Sequence, residues 1–459
     1  MPDYEIIILG GGPAGYMGAL HAAQKGAKVA LVEKKYLGGT CLNWGCIPTK
    51  TMVEGAHIKS SLEKGKAYGI EAKDVQFNLA GLVKKKNEVV QNLRDGIAQL
   101  IKANKIDFYN EEGKVTAAGK VKEITLADGK TISCEKLLLA TGSQVAIPPI
   151  PGLDETPFLT SDSLLDLEEM PEELIVIGAG VIGLEMAGIF NSLGSGVTVV
   201  EMMDQILPGL DKELAQRARI FLKKKGINIE TKAQVQRVEK TGEGKIEVHY
   251  QRRNKDTSVK GSHLLVATGR KPVYTGLEFI GEKKEVEVNE YLETKWEGIF
   301  AAGDLIGGYQ LAHVAYHEGI VAVNNMLGDK EKVNYAGIPN CIFTDPQIAA
   351  SGLSEEKAKE KGYDYETVKF PFSALGKAVA SSDPEGMIKI IFTKEKQTLL
   401  GIHIVGREAT EIIHHGAGAI RMGQSVDQLA KTIFAHPTYS EGLGEAYHMS
   451  QGHFYHTSR

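Results

Sequence analysis

Glu5-Ile6-Ile7-Ile8-Leu9-Gly10-Gly11-Gly12-Pro13-Ala14-Gly15 opens the chain with an apolar run that feeds directly into a glycine turn. Such a run reads as a strand buried on both faces, and the first strand is predicted over Tyr4 to Leu9. Gly10, Gly12 and Gly15 lead into a helix through Ala19 to Gln24, and Val29-Ala30-Leu31-Val32 forms the next strand, ending on Glu33. Strand, glycines, helix, strand and acid in that order specify a dinucleotide site. The glycines let the backbone approach a pyrophosphate at the helix N-terminus, and the acid accepts a hydrogen bond from a ribose hydroxyl.

The same order occurs a second time. Leu174-Ile175-Val176-Ile177 leads into Gly178, Gly180 and Gly183, a helix runs through Glu185 and Phe190, and Val197-Thr198-Val199-Val200 ends on Glu201. The same 23 residues separate Gly10 from Glu33 and Gly178 from Glu201. A lone glycine motif says little, whereas the whole arrangement twice points to two nucleotide cofactors. Glu201 suits a free 2′-hydroxyl and repels a 2′-phosphate, and no Arg or Lys lies in Glu201-Met202-Met203-Asp204-Gln205, so NAD is favoured over NADP. Three more strands end in turns that fit the scheme: Leu137-Leu138-Leu139-Ala140-Thr141-Gly142, Leu264-Leu265-Val266-Ala267-Thr268-Gly269-Arg270, and Ile299-Phe300-Ala301-Ala302-Gly303-Asp304.

Cys41 and Cys46, in Gly38-Gly39-Thr40-Cys41-Leu42-Asn43-Trp44-Gly45-Cys46-Ile47-Pro48-Thr49-Lys50, follow the first fingerprint. A close cysteine pair beside a redox cofactor suggests a disulfide that opens and closes during catalysis. In an ideal helix, residues five apart have Cα atoms nearly ~9 Å apart, whereas a disulfide needs about 5.5–6 Å. The helix must therefore be distorted between them, and Gly45 and Pro48 suit such a break. Zinc is disfavoured, because the remaining cysteines, Cys134 and Cys341, stand alone and far apart. No metal site is expected.

A net charge of −5 argues against a nucleic-acid surface. Lys84-Lys85-Lys86 and Lys223-Lys224-Lys225 read as solvated helix faces. No apolar run reaches the ~18 residues of a membrane span. The first strand begins almost at the initiator methionine, so no leader is expected. Four cysteines in 459 residues do not make a secreted disulfide scaffold. A cytoplasmic protein is the natural expectation.

Taken together, these stretches resemble the two-dinucleotide flavoprotein disulfide reductases, and within them the dihydrolipoamide dehydrogenases. The resemblance runs along nearly the whole chain. It includes both fingerprints, the Gly-Gly-Thr-Cys…Cys-Ile-Pro-Thr-Lys stretch, both Ala-Thr-Gly turns and Ala301-Ala302-Gly303-Asp304. Leu311-Ala312-His313 with Glu318-Gly319, and His436-Pro437-Thr438-Tyr439-Ser440-Glu441, complete it. It implies FAD on the first fingerprint, with Glu33 on its adenosine ribose and Asp304 on its ribityl chain. It implies NAD on the second, and adds Thr141, Gly142, Gly269 and Arg270 to the cofactor contacts. Lys50 would lie near the flavin, paired with Glu185. Cys46 would face the flavin, Cys41 would exchange with substrate, and His436, oriented by Glu441, would be the base.

The activity so implied is oxidation of protein-bound dihydrolipoyl groups with NAD, in a homodimer serving lipoyl domains or a lipoyl carrier protein of a 2-oxo acid dehydrogenase or glycine cleavage complex. A glutathione-reductase-like reductase of a small disulfide is the alternative. Thioredoxin reductases of high molecular weight and mercuric reductases are disfavoured, since no cysteine follows Cys341. The implied fold class is α/β: two Rossmann-like domains and a C-terminal α+β dimerisation domain. The expected boundaries are 1–148 for FAD, 149–270 for NAD, 271–337 for a central domain completing the FAD site, and 338–459 for the interface domain. His313, His317, His414 and His415 have no catalytic support, and His313 reads as a packed helical residue. The roles of Trp44 and Lys377 stay open.

Overall fold

The computed structural model describes residues 1–281 and 285–458. The chain divides into two compact units. The first comprises Met1–Thr51, Ala80–Ile147 and Gly269–Asn334, the second Met52–Leu79, Pro148–Thr268 and Tyr335–Arg459.

The first unit is built on a seven-stranded sheet. Its path runs Asp107–Tyr109, Val29–Val32, Tyr4–Leu9, Thr131–Leu139, Lys122–Leu126, Gly113–Ala118, and Ile299–Ala301 also pairs with Thr131–Leu139. The strands around Tyr4–Leu9 are parallel, in the register Ile6↔Val29 and Ile6↔Lys136. Their continuous apolar character follows from being covered on both faces. Ile6 and Ile8 enter one core with the helices Pro13–Gln24 and Ala312–Met326, while Ile7 and Leu9 enter the opposite core. The two helices meet closely: a Cβ on Gly319 would lie 2.3 Å from the Ala14 carbonyl oxygen.

The second unit holds a four-stranded parallel sheet in the order Asn228–Glu230, Gly196–Val200, Glu173–Ile177, His263–Val266. It also holds a three-stranded antiparallel sheet, Ala233–Lys240, Ile246–Arg252 and Lys255–Gly261. A five-stranded antiparallel sheet in the order Pro339–Ile342, Ile348–Gly352, Leu399–Val405, Met387–Thr393, Tyr365–Pro371 forms the C-terminal α+β part with the helices Ala409–Arg421 and Glu441–Ser450. The α/β class, with two Rossmann-like parallel sheets and a C-terminal α+β region, is thus observed.

One basic run departs from expectation. Lys84 and Lys85 are exposed, but Lys86 is 3% exposed. On the helix Leu79–Ala103 it shares a stripe with the buried Val83 and Val90, three and four residues away. Among the described residues, no helix is long and apolar enough to cross a membrane.

Candidate active site

The two glycine fingerprints have nearly the same backbone. Gly10 has φ +108° and Gly178 φ +106°. A Cβ would lie 2.2 Å from the Ala140 oxygen in the first and 2.5 Å from the Ala267 oxygen in the second. Gly15 and Gly183 are required by close approach, since a Cβ there would lie 1.8 Å and 2.0 Å from the oxygens of Gly10 and Gly178. The middle glycines differ in kind. A Cβ on Gly12 would meet nothing nearer than Gly39 Cα at 3.7 Å, and one on Gly180 would meet nothing within 4 Å. Protein packing does not demand glycine at these two positions, so the space they keep open fits a pyrophosphate. Gly12 and Gly180 are also the N-caps of the helices Pro13–Gln24 and Val181–Leu193, with no side-chain cap on either. Uncapped N–H groups and the helix dipole favour an anion there.

The acids that end the second strands are held in matching ways. Glu33 accepts hydrogen bonds from the N–H groups of Gly11 and Lys35, each at 2.7 Å. Glu201 accepts from Ala179 and Met203, again at 2.7 Å. Each carboxylate is fixed across its loop and keeps lone pairs for a ribose hydroxyl.

The turn carrying Asp304 is tied into a polar cluster of the first unit. The Ser143 hydroxyl donates to Asp304 Oδ2. Arg270 donates to Ser143 Oγ and to the Ser143 carbonyl, both at 2.7 Å, and to Thr40 Oγ1 at 3.2 Å. Arg270 thus reaches the residue preceding Cys41. Thr141 Oγ1 donates to the Val273 carbonyl at 2.7 Å, and Gly142 and Gly269 take φ +70° and +130° in their exits.

The cysteine segment has the expected break. A short helix, Gly39–Trp44, carries Cys41. Gly45, at φ −126° and ψ −111°, interrupts it, and a new helix runs Cys46–Lys64. A Cβ on Gly45 would sit 3.0 Å from the Thr40 oxygen, so glycine relieves a tight approach there. A hydrogen bond with Cys46, then burial, pushes the Cys41 thiol well above its ordinary value, while the Lys50 charge pulls it down. Lys50 lies in the first unit. Glu185, buried on the helix Val181–Leu193 of the second unit, accepts from the Phe343 N–H at 2.9 Å.

In the second unit, His436 Nδ1 lies 2.8 Å from Glu441 Oε1, and Glu441 Oε2 accepts from the Thr438 N–H at 2.7 Å. A carboxylate only accepts, so Nδ1 donates to it and Nε2 is directed outward. The histidine side chain is 78% exposed, so Nε2 faces solvent or a partner.

A family model described as pyridine nucleotide-disulphide oxidoreductase matches residues 4–319, and the dimerisation domain of the same family matches 338–447. The chain belongs to the pyridine nucleotide-disulphide oxidoreductases. It is 41% identical to a dihydrolipoamide dehydrogenase of Chaetomium thermophilum, over 97% of this chain and 90% of that one. It is 35% identical to the dihydrolipoyl dehydrogenase of Bacillus subtilis, over 97% of each. The solved structure of LpdA from Mycobacterium tuberculosis superposes with a TM-score of 0.89 at 27% identity, covering 97% of this chain and 99% of that chain. This pyridine nucleotide-disulphide oxidoreductase is accordingly a flavoenzyme with FAD and NAD as cofactors, and a homodimer.

Several residues of the site acquire their roles only through long-range contacts. Ser143 and Thr40 join Asp304 to the cysteine segment through Arg270. Glu318, buried on the helix Ala312–Met326, accepts from the Gly303 N–H at 2.7 Å and so braces Asp304 from behind. The Tyr16 hydroxyl donates to the Tyr316 hydroxyl at 3.1 Å, and burial, together with charge on Cys41, raises both phenols. His313 is exposed in the first turn of its helix, where a packed residue was expected. His415 packs on Phe434 and Tyr447. Among the described residues, only Glu239, Glu247 and His249 could converge on a metal ion, and Arg237 and Lys260 already pair with the two acids.

Proposed function

We propose that this oxidoreductase is a dihydrolipoyl dehydrogenase, oxidising protein-bound dihydrolipoyl groups to the disulfide with NAD+ as acceptor. The observation that carries the reading is the Cys41–Cys46 pair on a helix interrupted at Gly45, in the unit that holds the first fingerprint. Gly10, Gly12, Gly15, Glu33, Thr141, Gly142 and Asp304 would hold FAD, which would supply two-electron transfer between the cysteine pair and NAD. NAD is held by Gly178, Gly180, Gly183 and Glu201, and Gly269 and Arg270 complete the cofactor contacts. Lys50, in the same unit as the cysteines, would supply positive charge near Cys46 and the flavin.

The chain's own residues perform the thiol exchange. His436 Nε2 takes a proton from one substrate thiol, and Glu441 stabilises the imidazolium that results. The substrate thiolate attacks Cys41 sulfur in the oxidised enzyme, the Cys41–Cys46 bond breaks, and Cys46 leaves as a thiolate. The second substrate thiol then attacks the mixed disulfide, Cys41 is released, and the substrate departs as a disulfide. His436 of one protomer serves the cysteines of the other, which the dimerisation domain supports.

The chain divides into FAD (1–148), NAD (149–270), central (271–337) and interface (338–459) domains. It works in the cytoplasm on lipoyl domains or a lipoyl carrier protein. Rates with dihydrolipoamide, and with glutathione disulfide in the reverse sense, each with NAD(H) and NADP(H), test the proposal. Turnover of dihydrolipoamide with NAD+ is expected to dominate. A preference for glutathione disulfide with NADPH would replace it with the small-disulfide reading, which Glu201 disfavours.

A further inference from the structure

Between the acid Glu33 and the cysteines, the chain folds back over the first fingerprint. The Gly38 N–H donates to the Gly11 carbonyl at 2.8 Å, and a Cβ on Gly39 would lie 2.6 Å from Gly12 Cα. This stretch therefore roofs the space kept for a pyrophosphate. The buried Asn43 ties the roof together, its Nδ2 donating to the carbonyls of Leu37 at 3.0 Å and Gly39 at 2.9 Å. Its Oδ1 accepts from Arg94 Nε at 3.1 Å and Nη2 at 2.7 Å. Arg94 belongs to the helix Leu79–Ala103, where its third nitrogen, Nη1, donates to Gln91 at 3.2 Å. The guanidinium carbon also lies 3.9 Å from the centroid of the Tyr36 ring, which meets Trp44, centroid to centroid, at 5.9 Å. The Lys35 ammonium sits 4.3 Å from the centroid of the Trp44 ring, and the Lys35 N–H donates to Glu33 at 2.7 Å. One planar cation of the first unit thus joins both ends of the loop, acid and roof, to a helix of the same unit. Lysine could supply the charge but not the fork.

We infer, on the reading of the first fingerprint as the FAD site, that Arg94 is a positioning residue for FAD and that its grip on this loop sets how slowly the cofactor leaves. A nucleotide beneath a roof escapes when the roof lifts, and lifting it here separates Gly38 and Gly39 from Gly11 and Gly12. Asn43 carries the resistance, because hydrogen bonds from an ionised donor are roughly twice as strong as neutral ones. Removing Arg94 takes away the bonds that join Asn43 to the helix, so the roof lifts more often. The second fingerprint lies in the other unit and keeps its own contacts.

The test mixes the FAD-loaded homodimer with excess 8-chloro-FAD and follows the release of FAD by chromatography of the free nucleotide. Arg94→Ala and Arg94→Lys should both speed the exchange about tenfold, the lower end for losing a hydrogen bond to a charged group. The KM for NAD should hold in both. Val90→Ala hollows the core beneath the same helix, four residues before Arg94, and supplies the structural control. It should lower the melting temperature without matching that acceleration, and equal acceleration would make Arg94 merely structural and overturn the positioning role. If Arg94→Ala cannot be loaded with FAD, Arg94→Lys carries the comparison. A wild type that binds no FAD would sink the assignment of the first fingerprint. A loaded wild type whose Arg94→Lys variant exchanges at the same rate sinks only the role of Arg94.

Discussion

The two fingerprint loops, Gly10–Gly15 and Gly178–Gly183, share a backbone and differ in what lies over them. In both, the carbonyl after the first glycine accepts from a later loop, Gly38 N–H to Gly11 at 2.8 Å and Leu207 N–H to Ala179 at 2.9 Å. In the first, that later loop continues onto the turn itself: a Cβ on Gly39 would lie 2.6 Å from Gly12 Cα. The roof over the FAD loop is thus the segment that carries Cys41. In the second, no protein atom comes within 4 Å of a Cβ built on Gly180, and Val181 beside it is exposed. A covered loop joined to the cysteines suits a cofactor that stays and exchanges electrons with sulfur. An open loop suits one that arrives, takes electrons and leaves.

The harshest way to break this comparison is to fill the third glycine of each loop. Gly15→Ala and Gly183→Ala both drive a methyl into their own loop's carbonyl, so neither loop can keep its shape. Gly15→Ala should yield protein without flavin and without any activity. Gly183→Ala should keep its flavin and still be bleached by dihydrolipoamide, yet form NADH at least ~100-fold more slowly. Absorbance at the flavin band and NADH production measure the two outcomes separately. Equal flavin loss in both would mean that the second loop also holds a retained cofactor.

The anchoring of the acid-bearing loops gives the next largest effect. In the second unit, the stretch after Glu201 ends on Asp211, which is fully buried, caps the helix Lys212–Lys224 and pairs with Lys389 at 3.0 Å. Glu355 joins the same ammonium at 2.7 Å. Lys389→Met leaves Asp211 buried without its cation, which should cost about 3 kcal/mol, the low end for a broken buried pair because backbone amides still reach it. Urea unfolding should show the loss, and the KM for NAD should rise while flavin content holds. Unchanged stability would mean that the ion pair is not what anchors the NAD-side loop.

Glu201→Arg acts on one loop only. It removes a ribose acceptor and the repulsion of a 2′-phosphate, and a hydrogen bond to a charged group is worth roughly 1.5–3 kcal/mol, about ten- to a hundredfold. The NAD-to-NADP ratio of kcat/KM should fall by that factor. Because Glu201 also binds the amides of Ala179 and Met203, affinity for both nucleotides should drop, though less for NADP. An unshifted ratio would leave the coenzyme preference to other residues.

What the chain's linear order made readable were features whose cause is local. Gly10, Gly12 and Gly15 announce a turn because their spacing and the flanking apolar strands lie within one βαβ unit. The break at Gly45 followed from a length mismatch between five helical residues and a disulfide. His436 and Glu441 are five residues apart, and their bond is visible in the motif. Long-range partners were not readable. Arg94 meets Asn43 and Lys389 meets Asp211 across long stretches of chain with no shared periodicity. Lys86 was misread because a basic run suggests solvent, although its spacing from Val83 and Val90 places it on their buried stripe. Ser143 gave no signal at all, and Thr40 only as a member of the Gly-Gly-Thr-Cys stretch, since single hydroxyls acquire meaning only when a fold brings Arg270 to them.

The smallest expected effect is the most direct probe of the comparison. Gly180→Ala adds a methyl that meets no protein atom within 4 Å, and the helix beginning at Val181 keeps its backbone. Neither residue 12 nor residue 180 has a positive φ, at −72° and −75°, so alanine is not strained at either. Melting temperatures of Gly12→Ala and Gly180→Ala without nucleotide should therefore stay close to wild type. With nucleotide the two should part. The methyl at 180 occupies the space reserved for a pyrophosphate and should raise the KM for NAD a few-fold, because an open site lets the cofactor shift to accommodate it. The methyl at 12 meets a cofactor roofed by Gly39 that cannot move away, so flavin should be lost on dilution or gel filtration. Flavin retention equal in the two variants would show that the roof does not confine the first cofactor, and the distinction between a held and an exchanging nucleotide would then need another physical origin.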